Sequence, residues 1–224
     1  MKRLLLLAVA LSLVSAAGAA SFKRADYVAR LQTCEAILQD TMLYPARAIP
    51  ADVLHRAKGI VIVNQVKVGL LLGVKDGWGV ALVKKPNGQW SLPVFIKAGE
   101  LSFGLQAGAT TVETIYVLMD DASTRLLFKS RFNFGLDAKA VLGPHAAEAE
   151  SSTKTFTAQV LVYTNVKGLY AGATIKTGTM SPLAEATQQF YNTDYGIPEI
   201  LFSDWVAAQP EAQSLMNYLQ RLSP

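Results

Sequence analysis

Residues 60–92 read IVIVNQVKVGLLLGVKDGWGVALVKKPNGQWSL, and this stretch decides the fold class. Ile60-Val61-Ile62-Val63 is β-branched throughout and ends at Asn64, the composition of a strand rather than a helix. Lys75-Asp76-Gly77 stands between apolar runs, and Pro86-Asn87-Gly88 stands between 80–85 and 89–92. Both predict hairpin turns, because Asp-Gly and Asn-Gly supply the backbone angles that tight reversals need. The same texture continues downstream, with strands expected at 101–108, 114–119, 131–136, 156–163 and 168–177.

Outward from this body the period changes to helical. Over 22–43, Tyr27, Leu31, Cys34 and Leu38 recur at helical spacing, which predicts an amphipathic helix with Cys34 on its apolar stripe. Ile49-Pro50 opens a short helix over 51–58, with Gly59 as its stop. Asp120-Asp121 caps another over 122–129. Ser181-Pro182 signals a third start, followed by Leu183, Ala186, Phe190 and Tyr191. A last helix begins at Pro210 and carries Leu215, Met216, Leu219 and Leu222. With no linker-like stretch between these parts, the chain is expected to form one α+β domain over 21–224. Its sheet is expected to be curved and mostly antiparallel, or a partial barrel, flanked by N- and C-terminal helices. Three Gly-x-x-x-Gly segments, 69–73, 104–108 and 168–172, fit that curvature: even spacing on a strand puts both glycines on one face, where a sheet can bend.

The N-terminus reads separately. Met1-Lys2-Arg3, an apolar run from Leu4 to Val14 and the small residues 15–20 have the order of a secretory signal peptide. The run is too short for an ordinary membrane span. Cleavage after Ala19 or after Ala20 fits equally, so residues 1–20 are expected to be removed from an exported, periplasmic or secreted protein. The 21 basic and 17 acidic residues give a formal charge of +4; losing Lys2 and Arg3 leaves +2.

The composition excludes several classes. Hydrophobic residues make up 51% of the chain, too many for a disordered protein. One cysteine and two histidines provide neither a disulfide framework nor a zinc site. Cys34 reads as a buried filler. His55 and His145 read as surface and loop residues, no nucleophile elbow occurs, and Gly77-Trp78-Gly79 fails as a dinucleotide fingerprint because position 82 is Leu. Asp120 and Asp121 read as a cap rather than an acid–base pair. No catalytic residue, metal or cofactor is therefore expected. Charge is more informative: residues 21–139 hold 15 basic and 10 acidic residues, whereas 140–224 hold 4 and 7. Arg56, Lys58, Lys67, Lys75, Lys84 and Lys85, with Lys97 nearby, form the candidate set for contact with an anionic membrane surface, and Leu70, Leu71 and Leu72 are candidates for shallow insertion. Nucleic acid is not expected, because no dense basic stripe is present.

The order of motifs resembles the SYLF-domain family. It runs from Ile49-Pro50 and Ala57-Lys58-Gly59-Ile60 through Gly69 to Gly73 and Gly77-Trp78-Gly79-Val80, and on to Gly88-Gln89-Trp90-Ser91-Leu92-Pro93. It continues with 103–108, Gly135 and Asp137, Gly143-Pro144, Tyr163 and 168–172. The likeness spans about 49–196. It implies a non-enzymatic lipid-binding module: eukaryotic relatives bind phosphoinositides, some bind actin filaments, and bacterial relatives are commonly exported. The chain departs from the family at His145-Ala146-Ala147, where Gly-Arg often follows Gly-Pro, and only Arg56 and Lys58 stand in for a basic amphipathic N-terminal segment. What the resemblance implies here is affinity for anionic phospholipid. The alternative is an envelope interaction or structural module, self-associating or bound to an envelope protein, without direct lipid contact. Trp90 and Pro93 of the signature are expected to plug the sheet and to close its strand.

Overall fold

A computed structural model describes residues 23–45, 47–69, 72–103, 108–138, 140–142, 159–167 and 178–223. The expected signal peptide, Gly104, Gly143-Pro144, His145, the 168–172 glycine segment and the strand expected at 168–177 lie outside the described residues. Helix α1 (Arg24–Leu43) and the short α2 (Ala51–Arg56) precede the sheet strands β1 (Gly59–Gly69), β2 (Leu72–Val83), β3 (Val94–Phe103) and β4 (Gly108–Leu118). After β4 come α3 (Asp121–Arg125), a 3-10 turn (Leu126–Phe128), α4 (Phe134–Asp137), β5 (Ala140–Leu142), β6 (Val160–Lys167) and β7 (Thr179–Pro182). The chain then closes with α5 (Ala184–Tyr191), α6 (Ile197–Phe202) and α7 (Pro210–Leu222). The seven strands run β5-β6-β4-β1-β2-β3-β7 in one sheet, antiparallel except for β5 with β6. The fold is the expected α+β domain, with helices at both ends of the chain.

The sheet is curved, and chain length shows why. Phe132 bridges Met180 on the outer side of β7, and eight residues later Ala140 opens β5 at the opposite edge. In a flat sheet with strands ~4.8 Å apart, the two edges would stand ~29 Å apart. Eight residues that include the α4 turn reach only ~20 Å, so the edges must curl toward each other. Phe132 and Phe134 fill the space between them, their rings tilted against each other at 5.0 Å, with Phe134 5.1 Å from Tyr116 of β4.

Curling needs a face without bulk, and β2 provides it. Gly77, Gly79 and Ala81 lie on one face, opposite Gln65, Val63 and Val61 of β1. A Cβ added at Gly79 would overlap the Ile62 carbonyl oxygen and stand 2.9 Å from Val63 Cα. The close approach thus falls to Gly77 and Gly79 rather than to the repeated segments: Gly69 ends β1 and pairs with Gly73 of β2 and Gly108 of β4, so the glycines of 69–73 sit on two strands and not on one face of a single strand.

Several local expectations are corrected. Lys75-Asp76-Gly77 is no turn but the middle of β2, where glycine permits close approach of β1. Gly59 does not stop a helix; it opens β1, with its ladder continuing to Val83 and Leu118. Residues 131–136 form one bridge and the α4 turn rather than a strand. Ser181-Pro182 belongs to β7, and α5 starts after Leu183. Pro93 does not close a strand; it immediately precedes β3, and its carbonyl accepts from the Tyr191 hydroxyl at 2.9 Å. The Pro86-Asn87-Gly88 turn is present: Gly88 N donates to Lys85 O at 2.9 Å, Gly88 has φ +81°, and Lys84 bridges Trp90.

The helices cover the outer side of the sheet. Cys34 of α1 is fully buried, its thiol 3.6 Å from the Ile62 carbonyl, and Tyr27 packs edge-on against Phe95 at 4.7 Å. Phe95 in turn meets Phe190 of α5 at 5.1 Å. Complete burial of the Phe95 and Phe190 rings stabilises by roughly 2–3 kcal/mol each relative to exposure. Arg24 clasps the two chain ends: it pairs with Glu211 of α7 at 3.1 Å, donates to the Phe190 carbonyl at 2.7 Å and lies 4.5 Å over the Phe190 ring.

Candidate functional site: a cationic cavity at one end of the sheet

Where β1 begins and β2 and β4 end, backbone ties fix the floor of a cavity. Lys58 N donates to Leu118 O at 2.7 Å, and Lys84 N donates to Lys58 O at 2.9 Å. The ladder therefore runs one residue past the strands and holds Lys58 between β2 and β4. Behind it, Ser91 accepts from Val83 N and donates to Leu92 O, both at 3.0 Å, while Trp90 is only 3% exposed. Trp90-Ser91-Leu92-Pro93 is a structural stitch, as expected for Trp90, and it sets the direction of the Lys84–Gly88 turn.

The cavity measures about 1100 Å³ and is walled by α2, the Lys84–Gly88 turn, α3, the 3-10 turn and α6. Arg56, Lys58, Lys84, Lys85 and Arg125 line it against the single carboxylate of Asp121, and His55 contributes from α2. Phe128 and Phe202, each 43% exposed and 5.5 Å apart in an edge-on pair, line the same cavity. The site is amphipathic, with several positive charges and an exposed aromatic pair lining one cavity.

The cations are not equivalent. Lys84 donates to Ser223 Oγ at 2.8 Å and to the Ser223 and His55 carbonyls at 3.3 Å. Burial, and then the Lys58 charge, lower its pKa from the ordinary lysine value. Lys85 is nearly buried, with Nζ 2.8 Å from Ser203 O and 2.5 Å from Asp204 Oδ1. These two amines hold the C-terminal helices against the turn. Arg56 is half-exposed and shares the i,i+4 pair with Asp52 at 3.1 Å. Lys58 and Arg125 are exposed and form no ion pair among the described residues, so they carry the uncompensated charge.

Four of the six expected basic residues thus meet in one cavity, and two do not. Lys67 and Lys75 pair across β1 and β2 at the other end of the sheet, nine residues from Lys58 and so ~30 Å away. The six do not form one patch, because the Lys75-Asp76-Gly77 segment is strand rather than turn. Lys97 is exposed on β3, opposite Trp78. Of the leucines considered for insertion, 70 and 71 lie outside the described residues. Arg125, Phe128 and Phe202 were not singled out from sequence. Gly196-Ile197-Pro198 carried the signal for α6, since Pro stands in its first turn.

The remaining chemistry-bearing residues have structural surroundings. Cys34 sits among core side chains, and burial pushes its thiol up to about 12. Asp120 caps α3 by accepting from Ser123 N at 2.7 Å and also accepts from Gln159 Nε2 at 3.0 Å. Among the described residues no group of three His, Cys, Asp or Glu side chains gathers as a metal site, and no helix is long and apolar enough to cross a membrane.

A family model described as "Las17-binding protein actin regulator" (Ysc84) matches residues 99–222. SH3 domain-containing YSC84-like protein 1 of Bos taurus is 28% identical over 177 residues, which is 78% of this chain and 52% of that protein. Protein YSC84 of Saccharomyces cerevisiae is 27% identical over 178 residues, 78% of this chain and 38% of its own. LAS seventeen-binding protein 3 of the same species is 28% identical over 182 residues, 78% and 39% of the two chains. The chain spans about half the length, or less, of these curated relatives, and no solved structure matches it. With more than half its residues under the family model and the motif order running through β1 to β4, this chain belongs to the Ysc84 family, the SYLF-domain family that its motifs resemble.

Proposed function

We propose that this domain is a non-enzymatic module that binds anionic phospholipid at a membrane surface through the cationic cavity. The observation that carries the reading is the pairing, in one cavity, of exposed and uncompensated Lys58 and Arg125 with the Phe128–Phe202 aromatic wall. An anionic headgroup satisfies the first and the adjoining apolar region the second. Each basic residue near an anionic surface contributes about 1 kcal/mol. The N-terminal signal pattern supports export, so the membrane in question is an envelope one in this reading.

A second reading has its own support. The family model's description and the name of one relative speak of Las17 binding, and an envelope protein-interaction module would suit the same domain without lipid. The test uses the double variant Lys58→Glu/Arg125→Glu beside a charge-matched control, Lys23→Glu/Lys97→Glu, whose sites lie away from the cavity. The first is expected to lose at least about tenfold in co-sedimentation with anionic vesicles, and the control to lose little. Equal losses in both would mean that net charge alone drives binding, and unchanged binding of the first would remove the cavity from the account.

A further inference from the structure

Beside the cavity, α6 is bracketed by a second aromatic pair. Tyr195 precedes the helix and Trp205 follows it; their rings lie 5.3 Å apart, with Trp205 67% and Tyr195 42% exposed. Phe202 ends α6 three residues before Trp205, so the two pairs lie within ~11 Å along the chain. Four large rings are thus exposed around one six-residue helix, whereas among the described residues most other aromatics are buried or half-buried, Tyr44 excepted. The Lys85 contacts with Ser203 and Asp204 pin the segment that carries Trp205 to the cavity wall. Trp205 N also donates to Ser203 Oγ at 3.3 Å.

We infer that this aromatic ridge is the membrane-contacting edge of the domain, with Trp205 entering the interfacial layer of an anionic bilayer while Lys58 and Arg125 face its headgroups. The inference rests on the proposed lipid reading and adds the surface and the side chain that insert. Two features choose the occupant. Indole and phenol rings favour the headgroup boundary, where one edge is apolar and the other wet. The neighbouring uncompensated cations complement an anionic layer. This places insertion at the α6 end; Leu70 and Leu71, considered from sequence, lie outside the described residues.

The experiment measures tryptophan emission of the full chain with vesicles of neutral and anionic phospholipid, with and without bromine on the upper acyl chain. The chain has three tryptophans; Trp90 is buried and Trp78 is half-buried beneath Arg30, so each spectrum is read against that of Trp205→Phe. Expected are a blue shift and bromine quenching with anionic vesicles, both absent in Trp205→Phe, and about five- to tenfold weaker sedimentation of Trp205→Ala. Lys85→Ala, which unpins the segment, should reduce quenching more than it reduces sedimentation. Sedimentation of the wild type without Trp205-dependent quenching would overturn the ridge and leave the lipid reading standing. Absence of sedimentation with anionic vesicles would overturn both. A Trp205→Ala variant that changes self-association in light scattering, with vesicle binding intact, would assign the ridge to a second copy of the chain instead.

Discussion

Asp120 shows how much a single side chain settles. Burial raises its pKa, but hydrogen bonds from the Ser123 backbone and hydroxyl and from Gln159 outweigh that and leave it below the ordinary aspartate value. A folded-state pKa below the unfolded one means that the unfolded chain binds more protons on acidification. Asp120 therefore contributes stability above its unfolded pKa, and that contribution fades as pH falls through the folded one. Asp120→Ala is expected to cost about 1 kcal/mol at neutral pH and much less in strong acid, checked by urea unfolding at both. An undiminished loss in acid would contradict the cap. Cys34 is the complementary case: a thiol with its pKa pushed to about 12 and no exposure should resist alkylation until the protein unfolds. These residue-level readings were available in the sequence, since a cap and an apolar stripe are local patterns. The fate of Lys84 and Lys85 was not, because Ser223 and Asp204 lie more than a hundred residues away and no local pattern announces such partners.

At the scale of elements, β2 carries the most consequence. Its inner face of Gly77, Gly79 and Ala81 lets β1 approach, and this bends the sheet far enough for Phe132 and Phe134 to close the gap. Gly79→Ala should destabilise by about 3 kcal/mol, because its Cβ meets backbone rather than a side chain that can turn away. Thermal or urea unfolding checks this, and a loss under ~1 kcal/mol would show that β1 and β2 can separate locally. The same glycines explain the main misreading. Asp-Gly is a strong hairpin signal when the backbone must reverse, and an equally good strand pair when another backbone must come close. Nothing local distinguishes the two. Helix α1 and the Pro210 helix were legible from period and start signals. Helix α6 and strand β7 were less so, being six and four residues long and held by neighbours distant in sequence.

At the scale of the molecule, the curved sheet has two unlike ends. One gathers α2, α3 and α6 around a cationic, aromatic-walled cavity; the other carries Lys67 and Lys75 on paired strands. Sequence charge counts located the basic half of the chain but not its division, since β1 and β2 carry neighbouring lysines ~30 Å apart along their length. Membership of the Ysc84 family frames the account as one of binding, and the cavity makes anionic phospholipid its central claim. The most direct measurement is co-sedimentation of the purified protein with neutral and anionic vesicles at low and moderate salt. Salt-sensitive association with anionic vesicles alone is the predicted result; no association with either at low salt would contradict it.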